Sequence, residues 1–480
     1  MNTLNYNNPY HKGIDWPLVI LYMLLVGFGW CNIYAANFNP ETKVFFSVDA
    51  EYFKQLIWIG ISLVSIGIIM LIDSKLFVVV SYAFFIVSLL LLVVVLLVGK
   101  EVNGAKSWFS LGPVSFQPVE FTKIGTALVL ANIMSRYGFQ FEFKSYLRLF
   151  GVLMLPILLV LLQNDTGSAL IFFVFLLAMY REGMTTHILL IGVLTVICAI
   201  ASLLSDSALV MMILFVVCLL AVAYTFYRRG DKTDAAVSVA IGVVVAGSLG
   251  LLLYFVDIPK FLPEYVPLIA AAVMSAFALV RSLIRRVKWV RVVLMYLWAG
   301  LLISFATGYI FENVLGEHQR TRINILFGVE EDLQGAGYNV HQSLIAIGSG
   351  GFSGKGFLEG TQTKLNFVPK QSTDFIFCTV GEEWGFLGAS LLVIAFLAFF
   401  IRIIHLAEKQ HSVFSRVYGY CVACIFFFHF FVNICMTIGL MPVIGIPLPF
   451  FSYGGSSLWG FSVLLFIFLK LDTDRNELIR

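Results

Sequence analysis

Long apolar runs alternate with short polar turns along the chain, and this pattern predicts membrane-spanning helices. The runs fall at 16–35, 55–72, 77–98, 119–134, 147–162, 167–180, 187–204, 209–227, 235–256, 266–283, 292–314, 384–401, 417–440 and 456–469. Most approach the roughly 20 residues that cross a bilayer core. The expected fold is therefore an all-α polytopic integral membrane protein with about 14 transmembrane helices. The first run is longer than a typical signal core and reads as the first span. One stretch, 335–388, breaks the pattern by gathering glycines, lysines, acids and amides between two hydrophobic regions. Irregular polar backbone persists in a membrane protein where water or buried partners satisfy it, so this stretch is the expected working surface.

Composition agrees with that class. Of 480 residues, 60% are hydrophobic and 12% charged, a balance that no soluble domain of this length sustains. The net charge of +3 gives no footing for nucleic acid, because what matters is which loops hold the cations. With a cytoplasmic N-terminus, the inner loops receive Lys75, Arg136, Lys144, Arg148, Arg181, Arg228, Arg229 and Lys232. They also receive Arg281, Arg285, Arg286, Lys288, Arg291, Arg402, Lys409 and Arg416, whereas the turns at 163–166, 205–208 and 441–454 hold neither lysine nor arginine. Positive loops lie inside, which puts both termini in the cytoplasm and 335–383 outside. Cys421 and Cys424 form a CxxC inside an apolar run and read as packing residues.

Several polar positions are candidates for chemistry. Pro118 suits a helix start, and Glu120 and Lys123, three apart, share one helix face. A charge at a helix centre costs about 2.5–3.5 kcal/mol, so the two are expected to pair toward the interior, as a structural ion pair or as the wall of a polar cavity. Asp165 either caps the next helix or helps present its N-terminus to a phosphate. Arg320 and Arg322 sit just beyond a span, among headgroups or facing a diphosphate that suits their forked geometry. Three prolines and Gly454-Gly455 interrupt 440–457, which reads as a cavity wall. The glycines around Lys355 do not make a phosphate loop, because Gly356 follows the lysine where Ser or Thr is required. They read as close backbone packing that leaves Lys355 free for an anionic headgroup. Asp374, directly before an apolar run, is either a helix cap or a base whose partial desolvation raises its basicity.

These residues together resemble a known family. Ala346-Ile347-Gly348-Ser349-Gly350-Gly351, Gly354-Lys355-Gly356, Gly360-Thr361-Gln362, Thr373-Asp374-Phe375-Ile376-Phe377, Gly381-Glu382-Glu383 and Gly385-Phe386 are similar to the signature of the SEDS family (shape, elongation, division and sporulation). Phe116-Gln117-Pro118 with Glu120 and Lys123, Asp165-Thr166-Gly167, Gln319-Arg320 with Arg322, and 447–455 match in the family's order. The Gly360-Thr361-Gln362 segment resembles the elongation branch more than the division branch. The resemblance implies a peptidoglycan glycosyltransferase that polymerises lipid II on the outer face of the bacterial cytoplasmic membrane, beside a class B penicillin-binding protein. It implies Asp374 as the general base that deprotonates the acceptor 4-hydroxyl, with inversion at the donor's anomeric carbon. Undecaprenyl diphosphate would leave, which calls for cations such as Arg320, Arg322, Lys355, Lys364 or Lys370; Gln362 joins the expected substrate-binding set with Glu120, Lys123 and Asp165.

The chain departs from the family in three places. Ser107 stands where an arginine usually precedes the tryptophan, with Lys106 one residue earlier. The usual Pro-Glu-x-His-Thr-Asp becomes Pro369-Lys370-Gln371-Ser372-Thr373-Asp374, replacing an acid and an imidazole near the base and adding a cation. The family's usual ten helices become about fourteen, with the surplus at 187–288. The expected organisation is therefore 1–186, an insertion at 187–288, and 289–480 with a catalytic loop at 315–383. The histidines form no metal-ligand cluster; a metal-free site and a divalent cation bridging Asp374 to the diphosphate both remain open. A lipid II transporter and a non-catalytic scaffold of the synthesis complex are the alternative functions.

Overall fold

The computed structural model describes residues 13–38, 50–102, 104–111, 114–255, 263–313, 320–321, 324, 337–365 and 367–475. Arg322, Gln319 and most of 315–336 lie outside the described residues. Among the described residues the apolar runs are helical, with a break at 173–174 inside the run at 167–180, and twelve helices are long and apolar enough to cross a membrane. It forms two compact units, one from 1–184 with 328–480 and the other from 185–327.

The first unit begins with α1 (Trp16–Asn37), α2 (Glu51–Leu71) and α3 (Ser74–Val98). Asp15 caps α1 by accepting from Leu18 N at 3.1 Å, with Pro17 in the first turn where its missing N–H costs nothing. Asp73 likewise caps α3 through Lys75 N at 2.9 Å. Then comes a feature the apolar runs do not announce, a three-stranded antiparallel sheet of β1 (Lys100–Val102), β2 (Ala105–Leu111) and β3 (Val114–Phe116). A β-bulge interrupts β1–β2 at Lys100/Glu101, and Phe109 pairs with Phe116 across β2–β3.

The next helices are α4 (Val119–Met134), α5 (Phe143–Leu162), α6 (Thr166–Phe172) and α7 (Phe175–Arg181). α4 has only 16 residues, and every one but Phe121 and Asn132 is buried. It packs against α3 and two later helices, α15 (Val413–Thr437) and α16 (Gly455–Thr473), so protein rather than lipid surrounds its polar groups. The unit closes with α13 (Tyr338–Ser349) and α14 (Ile376–Glu408), which precede α15 and α16. α14 begins eight residues before the expected apolar run at 384, because its first turns carry Thr379, Glu382 and Glu383 as buried polar groups. Gly385, at φ 62° and ψ −161°, kinks it just past those acids.

The second unit is built from α8 (Thr186–Leu204), α9 (Ser207–Arg228), α10 (Lys232–Phe255), α11 (Tyr265–Ile284) and α12 (Lys288–Asn313). Its core joins Phe215, Leu219 and Phe226 of α9 to Met274 of α11 and Leu297 of α12. Arg281 grips buried Asp234 through two bonds of 2.9 Å, tying α11 to α10.

Candidate functional site

Asp374 is the last residue but one before α14, and its position is fixed from behind. Asn433 Nδ2, buried on α15, donates to the Asp374 carbonyl at 2.9 Å and to the Ile446 carbonyl at 2.8 Å. Ser452 Oγ donates to the Thr373 carbonyl at 2.6 Å while accepting from Leu448 N at 2.9 Å, and Tyr453 N donates to the Ser372 carbonyl at 2.8 Å. The proline-broken 441–454 segment therefore clasps the backbone that carries Asp374. Phe375, Cys378, Ala346 and Val368 pack beneath it as a small apolar core.

The carboxylate takes no part in these backbone bonds. Its side chain is 14% exposed, and Oδ2 lies 3.8 Å from Lys370 Nζ. Gly445 borders it at positive φ, where a β-carbon would stand 3.6 Å from Oδ2. Burial pushes the Asp374 carboxyl above the ordinary carboxylate range, and the Lys370 ammonium draws it part of the way back. A group still reachable from solvent, and more basic than a free carboxylate, has the properties of a general base.

Glu382 organises the neighbouring loop. Its fully buried carboxylate accepts from Lys355 Nζ at 2.7 Å, from Thr361 N at 2.7 Å and from Gln362 N at 2.9 Å. Thr363 adds its N–H at 2.9 Å and its hydroxyl at 2.8 Å. Gln362 thus enters through its backbone, and Lys355 is held by an acid rather than left free. The glycines allow the loop to lie on the helix backbone. A β-carbon on Gly350 would overlap the Gly381 carbonyl, and one on Gly354 would overlap the Glu383 carbonyl. Gly354 and Gly385 also adopt positive φ, so both backbone shape and lack of space require glycine there.

A second polar cluster lies on α4. Glu120 and Lys123 pair at 2.8 Å, both buried, as their spacing predicts. Lys123 Nζ also lies 3.2 Å from His429 Nε2 and 4.7 Å from the centroid of the Phe461 ring. His429 Nδ1 is 2.8 Å from the Ile425 carbonyl, so Nδ1 donates and Nε2 accepts from the lysine. Asp165 caps α6 through Ser168 N at 3.0 Å and accepts from Gln117 Nε2 at 3.0 Å, linking the turn at 163–166 to the entry of α4.

The remaining candidates are Lys364, Arg320 and Arg322. Lys364 lies over the Phe38 ring, 5.4 Å from its centroid. Arg320 belongs to the second unit, where it donates to the Glu312 carbonyl at 2.5 Å. Arg322 lies outside the described residues. His429 and Asn433 are the functional-looking residues that the sequence concealed, because each is a single polar residue inside the long apolar run at 417–440. Their one signal was a buried polar side chain that needs a partner. Among the described residues no group of three or more His, Cys, Asp or Glu is arranged to hold a metal ion.

Comparison with known proteins places these features in context. A family model described as a cell cycle protein, covering FtsW, RodA and SpoVE, matches residues 15–213 and 214–477. The peptidoglycan glycosyltransferase RodA of Treponema pallidum is 30% identical over 452 residues, covering 93% of this chain and 94% of that protein. The peptidoglycan glycosyltransferase MrdB of Escherichia coli is 41% identical over 165 residues, covering 34% of this chain and 45% of that one. A solved chain from a peptidoglycan synthase complex that coordinates polymerization and crosslinking aligns with a TM-score of 0.61 at 25% identity, covering 97% of this chain and 99% of that chain. The rod shape determining protein RodA of Thermus thermophilus shares the fold, with a TM-score of 0.53 at 23% identity over 97% of this chain and 98% of that one.

Proposed function

Because the chain belongs to the FtsW/RodA/SpoVE family and is RodA-like, we propose that it is a membrane-embedded peptidoglycan glycosyltransferase that polymerises lipid II. The observation that carries the mechanism is the placement of Asp374. Its backbone is clasped by Asn433, Ser452 and Tyr453 while its carboxylate stays partly open beside Lys370. In this reading Asp374 takes the proton of the acceptor sugar's 4-hydroxyl as that oxygen attacks the donor's anomeric carbon. The bond to undecaprenyl diphosphate breaks, and the anomeric centre inverts without a covalent sugar intermediate. The fixed backbone holds the base in place before substrate arrives, which lowers the cost of reaching the reactive geometry. Lys355 is already occupied by Glu382, so the leaving diphosphate falls to other cations, with Lys364 on the same loop as the first choice.

Loop charge supports a cytoplasmic-membrane location with both termini inside and the Asp374 face outside. A class B penicillin-binding protein is the proposed partner, in line with the neighbour that comes from a peptidoglycan synthase complex. The test is polymer formation from purified lipid II by the detergent-solubilised chain with that partner, comparing wild type with Asp374→Asn. Polymer from the wild type alone, at equal folding and partner binding, supports the assignment. Equal polymer from both removes Asp374 as base. Lipid translocation without polymer from either points to a transporter.

A further inference from the structure

Lys370 is one of few non-glycine residues at positive φ, 52°. Its carbonyl accepts from Thr373 N at 3.1 Å, from Phe375 N at 3.3 Å and from Thr373 Oγ1 at 3.2 Å. The 370–375 turn closes on itself by these bonds, and its closure carries the ammonium back to 3.8 Å from Asp374 Oδ2. Left-handed backbone at a residue with a side chain is strained and persists where surrounding contacts enforce it. Here the enforced conformation has a specific product, a cation placed against a carboxylate.

No other charge touches that carboxylate among the described residues. Asn433 of α15 meets Asp374 through an amide on its carbonyl. From the 441–454 segment come Gly445, Ser452 bound to the Thr373 carbonyl, and Tyr453 bound through its backbone N–H to Ser372. From α13 comes Ala346, in the apolar core below. None of these supplies a balancing charge at Asp374.

We infer that Lys370 is a positioning residue whose ammonium keeps Asp374 ionised and oriented at working pH, so that the side chain at 370 sets the acidic limit of polymerisation. This inference rests on the reading of Asp374 as the base. The Lys370 side chain is 47% exposed, so its effect is graded and screened by salt rather than all-or-none. Removing the cation makes the carboxyl harder to ionise, and placing an acid there makes it harder still. The acidic limb of the rate profile therefore moves to higher pH in that order.

The experiment is the pH profile of kcat/KM for glycan polymerisation from lipid II, using the full chain with its partner. It compares wild type, Lys370→Arg, Lys370→Gln, Lys370→Glu and Asp374→Asn, all confirmed as folded by thermal unfolding. The expected limb order is wild type with Lys370→Arg lowest, Lys370→Gln higher and Lys370→Glu highest. Added salt should move the wild-type limb toward that of Lys370→Gln while leaving Lys370→Gln in place. An unmoved limb with a raised KM at every pH overturns the inference and makes Lys370 a substrate cation. If Asp374→Asn is inactive while the limbs coincide, the role of Lys370 alone fails. If Asp374→Asn polymerises normally, the base assignment fails, and the inference with it.

Discussion

Lys355 and Glu382, twenty-seven positions apart, meet at 2.7 Å with the carboxylate wholly buried and the ammonium partly exposed. The pair is the centre of a cradle whose other donors are the Thr361, Gln362 and Thr363 backbones and two threonine hydroxyls. Removing the acid takes the shared acceptor from all of these and leaves Lys355 only the Thr361 hydroxyl, whereas removing the lysine leaves the acid with five donors. Glu382→Ala should therefore cost about 3–5 kcal/mol, and Lys355→Met clearly less. Thermal unfolding in detergent, with proteolysis of the 350–365 segment as a local probe, measures the difference. Equal losses would mean that the cation, not the cradle, holds the loop.

Asn433 fixes two carbonyls with one amide. Asn433→Ala leaves both without that donor, at a cost of about 1–3 kcal/mol, and loosens the backbone at Asp374. The expected kinetic result is a fall in kcat with little change in KM, read from lipid II titrations. A rise in KM alone would place Asn433 in substrate binding.

Asp374 also predicts a trade of stability for activity. Its folded carboxyl titrates above its unfolded counterpart, so between the two values the folded state binds more protons. The native state therefore loses stability as pH rises through the folded value. Asp374→Asn, which carries no charge, should melt at a higher temperature than wild type at neutral pH. That advantage should shrink as pH is lowered and the wild-type carboxyl becomes protonated. Differential scanning fluorimetry across pH checks it, and a pH-independent difference would sink the argument.

The Glu120–Lys123–His429 cluster should behave as one unit. Lys123→Met strands Glu120 in the interior, a loss of about 3–5 kcal/mol. Adding Glu120→Gln should restore part of the lost stability, because it removes the uncompensated charge. Additive losses in the double variant, measured by thermal unfolding, would show that the two residues act independently.

Most of the fold was legible because lipid-length apolar runs admit few structures; the expected runs are helical among the described residues, but 167–180 is split into two short helices at 173–174 and twelve helices, not fourteen, have the length and apolarity of a span. The sheet at 100–116 escaped because its strands are only three to seven residues long and sit between much stronger signals. The start of α14 escaped because Glu382 and Glu383 interrupt the apolar run; Glu382 is buried among the donors of the 355–363 loop, a partnership that no local pattern encodes. Within the site, Asp374 stood out by position, and Glu120 with Lys123 by spacing. Lys355 was readable as a cation but not as a committed one, since its partner lies twenty-seven residues away in the sequence. His429 and Asn433 depend on helix packing that no local pattern encodes.

The bend at Gly385 also bears on how α14 enters the bilayer during synthesis. Counted whole, the helix would ask the insertion machinery to accept two adjacent acids, at about 2.5–3.5 kcal/mol for an aspartate-like charge at the centre of a span. Counted from 386 to 408, it is an acid-free segment apart from its terminal Glu408, about 35 Å long at 1.5 Å per residue, enough to cross the hydrocarbon unaided. The kink at Gly385 thus separates an apolar segment long enough to cross the bilayer from a shorter one that carries the two acids.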